Sequence, residues 1–392
     1  MELLDRLQAL PAAGPLLERL PDVPGVYVVG GAVRDLLLGG QPVDLDLAVE
    51  GNAASVAERL GGSVAVHDRF GTSTAKLGGF TYDIARARTE TYSSPGALPD
   101  VEPGTLEEDL RRRDFTVNAI AIALDGAVTA LPGAMDDLQN RRLRVLHDES
   151  FIEDPTRLLR LARYAGRLGF EIEPHTFELL RSAIRSGALA TVSGQRIGAE
   201  LRLLSREPDA VLAFETLHEL ELDEAIEPGF GLTDPNLARR ALAELPADGR
   251  GDLVVLALAA RGVESPEELL DRLGFDAGDR DAIAAAARNA DRLAERLQAA
   301  SLPSEIAVAV GNAGLEQVAL AGALGPKDAA TQWLEDLRHV RLEIDGRDLL
   351  EAGVPEGPAI GRGLRVALDA KLDGQVRDRD GELHAALRAA RD

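Results

Sequence analysis

The sequence predicts an α+β protein, in which a small N-terminal α/β region with a mixed sheet precedes an elongated all-helical region. Strand and helix patterns alternate from residue 26 to about residue 130. Beyond Leu131 strand patterns almost disappear, and segments rich in leucine, alanine and arginine follow one another with helical periodicity. Glycine, proline and aspartate separate these segments, as expected between consecutive helices.

The predicted strands all lie in the N-terminal region. Residues 1–24 are predicted to form a short amphipathic helix that ends at two prolines. Strands are then predicted at residues 26–29, 43–49, 63–67, 73–77, 81–86 and 118–124. Helices are expected after Gly31 and over residues 51–60. A glycine-, proline- and serine-rich segment between residues 88 and 106 predicts a long loop, and loops of this kind are often functional.

The remainder of the chain is predicted to be helical. Helices are expected at residues 155–168, 175–186, 197–204, 208–220, 235–245, 253–260, 266–273, 280–300, 315–324 and 329–339. The sequence shows no fixed-period repeat and no histidine pair at metal-binding spacing.

Composition restricts the classes of partner and chemistry. The chain carries 43 Lys and Arg against 66 Asp and Glu, and its net charge of −23 repels polyanions as a whole. Residues 111–170 differ, because they hold ten arginines against eight acidic residues. A surface that binds RNA would therefore have to be local. The absence of cysteine excludes disulfides, thiolate nucleophiles and cysteine-based zinc sites.

The most informative motif is a glycine pair, Gly30-Gly31, which separates a predicted strand from a helix that carries Arg34. Backbone N–H groups at such a turn are positioned to bind phosphate. Asp44 and Asp46 follow on the next predicted strand, where alternation puts both carboxylates on one face. Two like charges so close favour a bound cation, and paired carboxylates suit Mg²⁺.

Each half of this motif has an ordinary explanation. A glycine pair after a strand is usually a tight turn, and an Asp-x-Asp in an acidic chain is usually a solvated strand edge. Their combination, in this order and at this distance, favours a phosphate-binding turn beside a metal-binding carboxylate pair, the arrangement of nucleotidyl transfer. The G-x-G-x-x-G spacing of dinucleotide-binding proteins is absent.

With this motif and three further blocks, the chain resembles the class II tRNA nucleotidyltransferases, or CCA-adding enzymes, and their relatives the bacterial poly(A) polymerases. Residues 107–119, EEDLRRRDFTVNA, are similar to the family's Arg-Arg-Asp-Phe-Thr-x-Asn-Ala signature. Residues 153–163, EDPTRLLRLAR, are similar to its nucleotide-selecting Glu-Asp-x-x-Arg helix, and residues 195–201, QRIGAEL, to the motif that follows. The blocks occur in the family's order.

The resemblance implies a domain organisation and a reaction. We expect a catalytic nucleotidyltransferase head at residues 1–130, a helical neck with the nucleotide-selecting helix at 131–205, a helical body at 206–300 and a helical, tRNA-binding tail at 301–392. The implied reaction is attack by the 3′-hydroxyl of tRNA on the α-phosphorus of CTP or ATP, with release of pyrophosphate and catalysis by two Mg²⁺ ions.

The resemblance also implies the roles of individual residues. Asp44 and Asp46 are the predicted catalytic metal ligands, while Asp83 is either a third carboxylate ligand or a solvated strand residue. The predicted nucleotide-binding residues are Gly30, Gly31, Arg34, Arg113, Asp154, Arg157, Arg160 and Arg163. Of these, the pair formed by Asp154 and Arg157 is expected to choose the base, because one carboxylate and one guanidinium suit the Watson–Crick edges of both C and A.

Three residues are expected to have supporting roles. Asp114 is predicted to hold Arg113 in place, and Arg196 to form a structural ion pair with Glu200.

The sequence leaves narrower activities open. These are full CCA addition, A-only or CC-only addition, and poly(A) polymerisation. In the family a flexible loop in the region of residues 88–106 supports the switch from C to A addition, so its presence disfavours CC-only addition. A poly(A) polymerase usually carries extra basic sequence, which this chain does not show. A catalytically silent RNA-binding module and a nucleotidyltransferase acting on a small molecule or protein are the alternatives of a different class.

The expected partner is the 3′ end of tRNA. We expect no membrane association, no protein partner and no metal-dependent HD phosphohydrolase domain of the kind found in some relatives. Because no apolar run has the length of a membrane span and no basic-then-apolar signal segment begins the sequence, the expected location is cytoplasmic.

Overall fold

The chain divides into two compact units, Met1–Ile197 and Gly198–Asp392. The computed structural model describes residues 3–21, 23–67 and 71–391. The first unit contains the mixed sheet and the second is built of helices, so the predicted α+β fold class is confirmed. The division falls inside the segment predicted as the neck, and the four-part organisation stays a prediction.

The first unit holds a seven-stranded mixed sheet and two small two-stranded sheets. The strands are β1 (Val26–Val29), β2 (Asp44–Val49), β3 (Ser63–His67), β4 (Thr72–Leu77), β5 (Phe80–Arg86), β6 (Arg88–Thr91), β7 (Asp100–Pro103), β8 (Ile120–Ala123), β9 (Val128–Ala130), β10 (Arg142–Leu143) and β11 (Glu171–Ile172). The order in the large sheet is β3-β4-β5-β2-β1-β8-β9, in which β2 and β5 are parallel and the other neighbours antiparallel. Strands β1 to β5 match the predicted strands closely.

Several segments differ from the prediction, and strands β9, β10 and β11 were not predicted at all. The segment predicted as a loop contains an antiparallel hairpin of β6 and β7, so only residues 92–99 connect the two strands. These strands were not predicted from the sequence because they are short and lack an alternating apolar pattern. The last predicted strand begins later, at β8, because Thr116–Asn118 form a 3₁₀ turn.

The helices of the first unit cover both faces of the sheet. They are α1 (Leu3–Ala9), α2 (Gly14–Arg19), α3 (Gly31–Leu37), α4 (Ala53–Leu60), α5 (Leu106–Arg111), α6 (Ala134–Gln139), α7 (Ser150–Glu153), α8 (Thr156–Leu168) and α9 (Pro174–Arg185), with α10 (Gly194–Leu204) continuing into the second unit. Helix α5 begins with a capping box, in which Thr105 and Glu108 satisfy each other's backbone N–H groups. Its apolar side packs on Val29 and Ala48 of β1 and β2.

The second unit contains α11 (Ala210–Glu219), α12 (Leu222–Ile226), α13 (Pro235–Glu244), α14 (Gly251–Ala259), α15 (Pro266–Arg272), α16 (Ala277–Ala299), α17 (Pro303–Val310), α18 (Leu315–Ala323), α19 (Lys327–Glu335), α20 (Gly346–Glu351), α21 (Pro358–Leu372) and α22 (Arg379–Arg391). Helices α16 to α19 share one apolar core, and α20 to α22 share another. Among the residues described, no single helix is long and apolar enough to cross a membrane. The bent pair α17 and α18, which meet at 116°, passes that test only when the two are counted together.

Candidate active site

The glycine turn between β1 and α3 lets two charged side chains approach the backbone. Gly30 has a φ of 72°, which favours glycine. A Cβ atom on Gly30 would lie 2.8 Å from Nη1 of Arg113 and 3.5 Å from Oδ2 of Asp46. Any side chain at this position would therefore displace Arg113, so the turn brings a cation and a carboxylate together at the start of α3.

The two predicted metal ligands lie on the same face of β2. Asp44 and Asp46 alternate with buried Leu45 and Leu47, which face the other side of the sheet. Asp46 lies opposite Asp83 in the register of the parallel strands β2 and β5. Although the side chain of Asp46 reaches solvent, its enclosure in a concave site raises its pKa. The Arg113 guanidinium lowers this pKa, but Asp83 and Asp44 raise it again.

This carboxylate pair fits a divalent cation. The carboxylates repel one another, and Mg²⁺ commonly binds one or two carboxylates together with substrate phosphates and water. Within the described part of the chain, no group of three or more His, Cys, Asp or Glu side chains is placed to hold a metal ion. Asp83 therefore does not complete a three-carboxylate site. Instead it accepts a hydrogen bond from Oγ1 of Thr74 at 2.8 Å.

Arg113 follows the end of α5, and the residue that holds it differs from the one predicted. Nη2 of Arg113 donates to Oδ2 of Asp109 at 3.0 Å, and Nη2 of Arg112 donates to Oδ1 of the same carboxylate at 2.7 Å. Burial opposes ionisation of Asp109, but the two guanidinium groups outweigh it and lower the pKa. The expectation that Asp114 holds Arg113 is wrong, because the i, i+4 spacing places Asp109 beside Arg113.

Asp114 instead connects the sheet region to α8. Its Oδ1 accepts hydrogen bonds from the backbone N of Phe115 at 2.9 Å and from Nδ2 of Asn118 at 2.8 Å, and its Oδ2 accepts one from Nε of Arg160 at 2.8 Å. Burial disfavours the charge, but these donors, with Arg160 the strongest, lower the pKa of Asp114 to about 2. Asp114 therefore remains ionised and fixes the position of Arg160.

The structure does not place Arg34 where a nucleotide would contact it. The side chain is 1% exposed, its Nη1 donates to Oδ1 of Asn118 at 2.7 Å, and its Nε donates to Oδ1 of Asp35 at 2.8 Å. Its guanidinium carbon also lies 5.1 Å from the centroid of the Tyr164 ring. These contacts fix the side chain in the interior of the protein. We therefore assign Arg34 a structural role behind the glycine turn.

Asp154 lies between α7 and α8 and keeps one carboxylate oxygen available. Its Oδ1 accepts hydrogen bonds from Oγ1 of Thr156 at 2.6 Å and from Nη2 of Arg196 at 2.7 Å. No hydrogen bond to its Oδ2 is present within the described residues. Arg196 also donates through Nη1 to the carbonyl of Gly96 at 2.8 Å. These partners define the position of Arg196, and its pairing with Glu200 stays a prediction.

Arg157 is held rigidly at the start of α8. Its Nη1 donates to Oγ of Ser150 at 2.7 Å, and its Nη2 donates to the carbonyl of Arg112 at 2.7 Å. The side chain is buried. Because a guanidinium carries five N–H donors, N–H groups remain for a ligand. Arg157 thus offers pre-oriented donors near an available acceptor on Asp154.

The two remaining predicted arginines of α8 surround one aromatic ring. The guanidinium carbons of Arg160 and Arg163 lie 6.0 Å and 4.8 Å from the centroid of Tyr164, and the edge of that ring packs against Phe115. Arg160 is partly exposed, whereas Arg163 is buried. The helix therefore presents Arg160 to a ligand and directs Arg163 into the protein.

A cavity of about 370 Å³ joins most of these groups. The predicted site residues that line it are Gly30, Gly31, Asp46, Arg113, Asp154, Arg157 and Arg160. Asp44, Arg34 and Arg163 lie outside its lining. The arrangement places several arginines, the carboxylate of Asp46 and the pair formed by Asp154 and Arg157 within one enclosure.

The sequence analysis missed the contribution of β6 and of the following connection, residues 92–99, to this cavity. Arg88, Glu90, Tyr92 and Pro99 line it. Glu90 accepts hydrogen bonds from Nη2 of Arg88 at 2.8 Å and from the Tyr92 hydroxyl at 3.0 Å. Burial, together with the charge of Glu90, raises the pKa of Tyr92 to about 12. The spacing of Arg88 and Glu90 at i and i+2 places both side chains on one face of β6.

Comparisons with known proteins agree with this geometry. Residues 26–144 match the poly(A) polymerase head domain. The chain is 33% identical over 396 residues to the A-adding tRNA nucleotidyltransferase of Geobacter sulfurreducens, covering 93% of this chain and 45% of the relative. It is 36% identical over 376 residues to the CC-adding tRNA nucleotidyltransferase of Deinococcus radiodurans (92% and 88%). It is 30% identical over 382 residues to a CCA-adding enzyme of Lactobacillus delbrueckii subsp. bulgaricus (93% and 94%).

The chain spans between 26% and 60% of the length of three A-adding relatives that it matches. Solved structures match over nearly the full chain. A CCA-adding enzyme in an apo form has a TM-score of 0.82 at 31% identity, covering 98% of both chains. A CCA-adding enzyme in complex with CTP has a TM-score of 0.79 at 30% identity, covering 100% and 99%. The Thermotoga maritima CCA-adding enzyme in complex with tRNA has a TM-score of 0.76 at 29% identity, covering 99% and 98%.

A head domain with this mixed sheet and this cavity places the chain in the class of nucleotidyltransferases. The matches along nearly the whole chain narrow the class further. This chain belongs to the family of class II tRNA nucleotidyltransferases that includes the CCA-adding enzymes, and the resemblance found in the sequence is confirmed.

Proposed function

We propose that this protein adds C and A nucleotides to the 3′ end of tRNA without a nucleic-acid template, using CTP and ATP and releasing pyrophosphate. The observation that carries the proposal is the cavity in which Asp46, Arg113 and the glycine turn meet Asp154 and Arg157. The relatives include A-adding, CC-adding and CCA-adding proteins, which supports the reaction class.

The pair Asp154 and Arg157 has the chemistry to choose C and A. The available Oδ2 of Asp154 accepts from the exocyclic amino group that both bases carry, and Arg157 donates to the adjacent ring nitrogen. U and G present a carbonyl oxygen and a ring N–H at the same edge, which reverses both contacts. A site built on such hydrogen bonds rejects mismatched ligands strongly, because its buried polar groups are left unpaired.

The other end of the cavity has the chemistry to bind the triphosphate. Arg113 and Arg160 are fixed by Asp109 and Asp114, so their guanidinium groups are pre-oriented for phosphate oxygens. Asp44 and Asp46 would hold Mg²⁺, and two bound ions would neutralise the triphosphate and activate the attacking hydroxyl. The 3′-hydroxyl of tRNA would lose its proton to solvent water, and its oxygen would bond to the α-phosphorus as the bond to pyrophosphate breaks.

A-only addition is the second candidate, because three of the relatives that match this chain are A-adding. The intact segment 92–99, which is fixed beside Asp154, argues against CC-only addition. The backbone N of Gly96 donates to the carbonyl of Ile152 at 3.2 Å, and the carbonyl of Gly96 accepts from Arg196.

The proposed substrate, tRNA, also supports a cytoplasmic location for the protein.

The test uses purified protein, Mg²⁺ and three tRNA transcripts, which end before CCA, after CC and with complete CCA. CTP and ATP are supplied singly and together. Addition of three nucleotides to the first transcript, stopping there, is the expected result. Extension of the CC-ending transcript alone identifies an A-adding specialist, and an unlimited A tail identifies a poly(A) polymerase. Absence of any nucleotide incorporation contradicts the proposal and favours a silent RNA-binding module or a different acceptor.

A further inference from the structure

A second cavity lies where α4 and β4 begin and β5 ends. Its volume is about 480 Å³. None of the described residues that line it also lines the cavity proposed to bind the nucleotide, which we call the nucleotide cavity. The two cavities can therefore hold separate ligands.

The charge of the second cavity differs from that of the chain. Of the described residues that line it, Arg86 alone is charged, although the whole chain carries a net charge of −23. The side chain of Arg86 is exposed, and no described residue accepts a hydrogen bond from its guanidinium or forms an ion pair with it. Because its N–H donors are available and no carboxylate lies among the described lining residues, the cavity favours an anionic ligand.

The beginning of α4 adds backbone donors to the same cavity. The first N–H groups of an α-helix have no acceptor within the helix. Oδ1 of Asn52 accepts from the backbone N of Ser55 at 3.2 Å, which satisfies one of these groups. Ala53 and Ala54, whose N–H groups precede that of Ser55, line the cavity. These N–H groups, together with the positive end of the helix dipole, also favour an anion.

The hydroxyl of Ser73 is the independent observation that points to a ligand. Ser73 lines the cavity and is only 2% exposed, and its Oγ has no hydrogen-bond partner within the described residues. In the register of β4 and β5, Ser73 pairs with Ile84, which is buried, so the hydroxyl lies on the buried face of the sheet, where α4 packs on both strands. A buried hydroxyl without a partner is costly, and an anion between α4 and Arg86 would supply the missing acceptor.

We propose that the second cavity binds a phosphate group. The oxygens of one phosphate can accept together from the guanidinium of Arg86, the N–H groups at the start of α4 and the hydroxyl of Ser73. The cavity volume leaves room for further atoms of a molecule that carries the group. Two sources offer this chemistry, the backbone of tRNA and inorganic phosphate in solution. The inference goes beyond the proposed function, because it concerns a site that the proposed reaction does not use.

Binding of inorganic phosphate and of tRNA to the full chain tests the site and distinguishes the two sources. Phosphate binding is measured by calorimetry with a non-hydrolysable ATP analogue in the nucleotide cavity, and tRNA binding by filter retention. Arg86→Gln should raise the Kd of the ligand that occupies the site about tenfold. A raised Kd for tRNA, with a salt slope smaller by about one, identifies the RNA backbone, whereas a raised Kd for phosphate alone identifies the free anion. Unchanged Kd values for both ligands would overturn the inference.

Lys76→Gln is the matched control. Lys76 is an exposed cation on β4 that does not line the second cavity, so its replacement removes the same charge from the same sheet. The Kd values for phosphate and tRNA should stay within about twofold of wild type. A tenfold rise in this variant as well would show a general charge effect and refute the site. Arg86→Gln should also keep the Kd for ATP, and loss of ATP binding would contradict a site separate from the nucleotide cavity.

Ser73→Ala tests the hydroxyl independently of charge. Because the hydroxyl has no partner among the described residues, its removal should not lower the free energy of unfolding measured without ligand. It should raise the Kd of the ligand affected by Arg86→Gln about three- to tenfold, the effect of one lost hydrogen bond. A lower free energy of unfolding would show that the hydroxyl is already satisfied, and an unchanged Kd would show that it does not contact the ligand. Either result would contradict the inference.

Discussion

At the scale of single residues, the two aspartates of β2 are the groups on which the proposed chemistry depends. Replacing either carboxylate with an amide removes a charge that a divalent cation needs but no apolar contact. We expect Asp44→Asn and Asp46→Asn each to lower kcat by about 10³-fold and to change the free energy of unfolding by less than about 1 kcal/mol. Rates of CTP and ATP incorporation and urea denaturation measure the two effects.

The matched control for these variants is Asp125→Asn. Asp125 lies in the turn between β8 and β9, where Oδ1 accepts from the backbone N of Ala127 at 2.9 Å, a bond that an amide oxygen also makes. This variant should keep wild-type activity. Near-full activity in Asp44→Asn or Asp46→Asn would contradict the assignment of the carboxylate pair.

Arg157 is expected to determine base choice rather than metal binding. Arg157→Ala removes the proposed donor to the ring nitrogen and should reduce discrimination of CTP and ATP against UTP by about 10- to 100-fold. Relative kcat/KM values for the three nucleotides give the measurement. Arg181→Ala, at an exposed position of α9, is the control and should leave selectivity unchanged. Unaltered selectivity in Arg157→Ala would exclude the proposed role.

The depressed pKa of Asp114 predicts a contribution to acid stability. The value of about 2, compared with an ordinary value of 3.8, means that the ionised form is stabilised by folding. This contribution is complete above the unfolded-state pKa and is lost as the pH falls from about 4 towards about 2. It amounts to about 2 kcal/mol.

Asp114→Asn should therefore show a smaller loss of unfolding free energy than wild type across that pH window. Urea denaturation at a series of pH values measures the difference, and Asp125→Asn, which has no such burial, provides the comparison. Parallel curves for wild type and Asp114→Asn would contradict the shifted pKa.

At the scale of elements, the hairpin of β6 and β7 is connected to Asp154 through the hydrogen bonds that Arg196 donates to Gly96 and to Asp154. Gly96 has a φ of 70°, and a Cβ there would lie 2.3 Å from Oγ1 of Thr191. Gly96→Ala should therefore displace the segment and reduce A addition more than C addition. The ratio of the two rates, measured on transcripts ending in CC and before CCA, tests this.

Gly133→Ala is the matched control, because Gly133 also has a positive φ, of 81°, but no atom lies within 4 Å of the position that a Cβ would occupy there. Gly133→Ala should lower the free energy of unfolding only through backbone strain at the positive φ, and it should leave the ratio of A to C addition unchanged. Equal losses of both additions in Gly96→Ala would argue against a role for the hairpin in the switch.

At the scale of the whole molecule, the net charge of −23 predicts unusual salt dependence. A protein whose arginines form six to ten phosphate contacts loses about 10³- to 10⁵-fold in affinity from about 50 to about 200 mM salt. Here salt also screens the repulsion between tRNA and the acidic remainder of the chain. We expect the Kd for tRNA to rise less than about tenfold over the same interval. A steep rise, measured by filter binding, would contradict this.

How much of the structure could be predicted depends on how far apart in the chain the interacting residues lie. Strands β1 to β5, the glycine turn and the aspartate pair were predictable, because backbone periodicity and turn chemistry act over a few residues. The hairpin of β6 and β7 was not, since its strands are short and its pairing depends on contacts beyond the local pattern. Similarly, Asp109 was not predicted as the partner of Arg113, although the spacing on α5 contained the signal.

The sequence by itself determined the α+β class, the family and part of the set of residues that line the site. Tertiary structure decided which of those residues face a ligand. It buried Arg34 against Asn118, 84 positions away, and joined Asp114 to Arg160, 46 positions away. These outcomes depend on side chains that are distant in the chain and meet only when the elements of the first unit pack together, and no local pattern encodes that meeting.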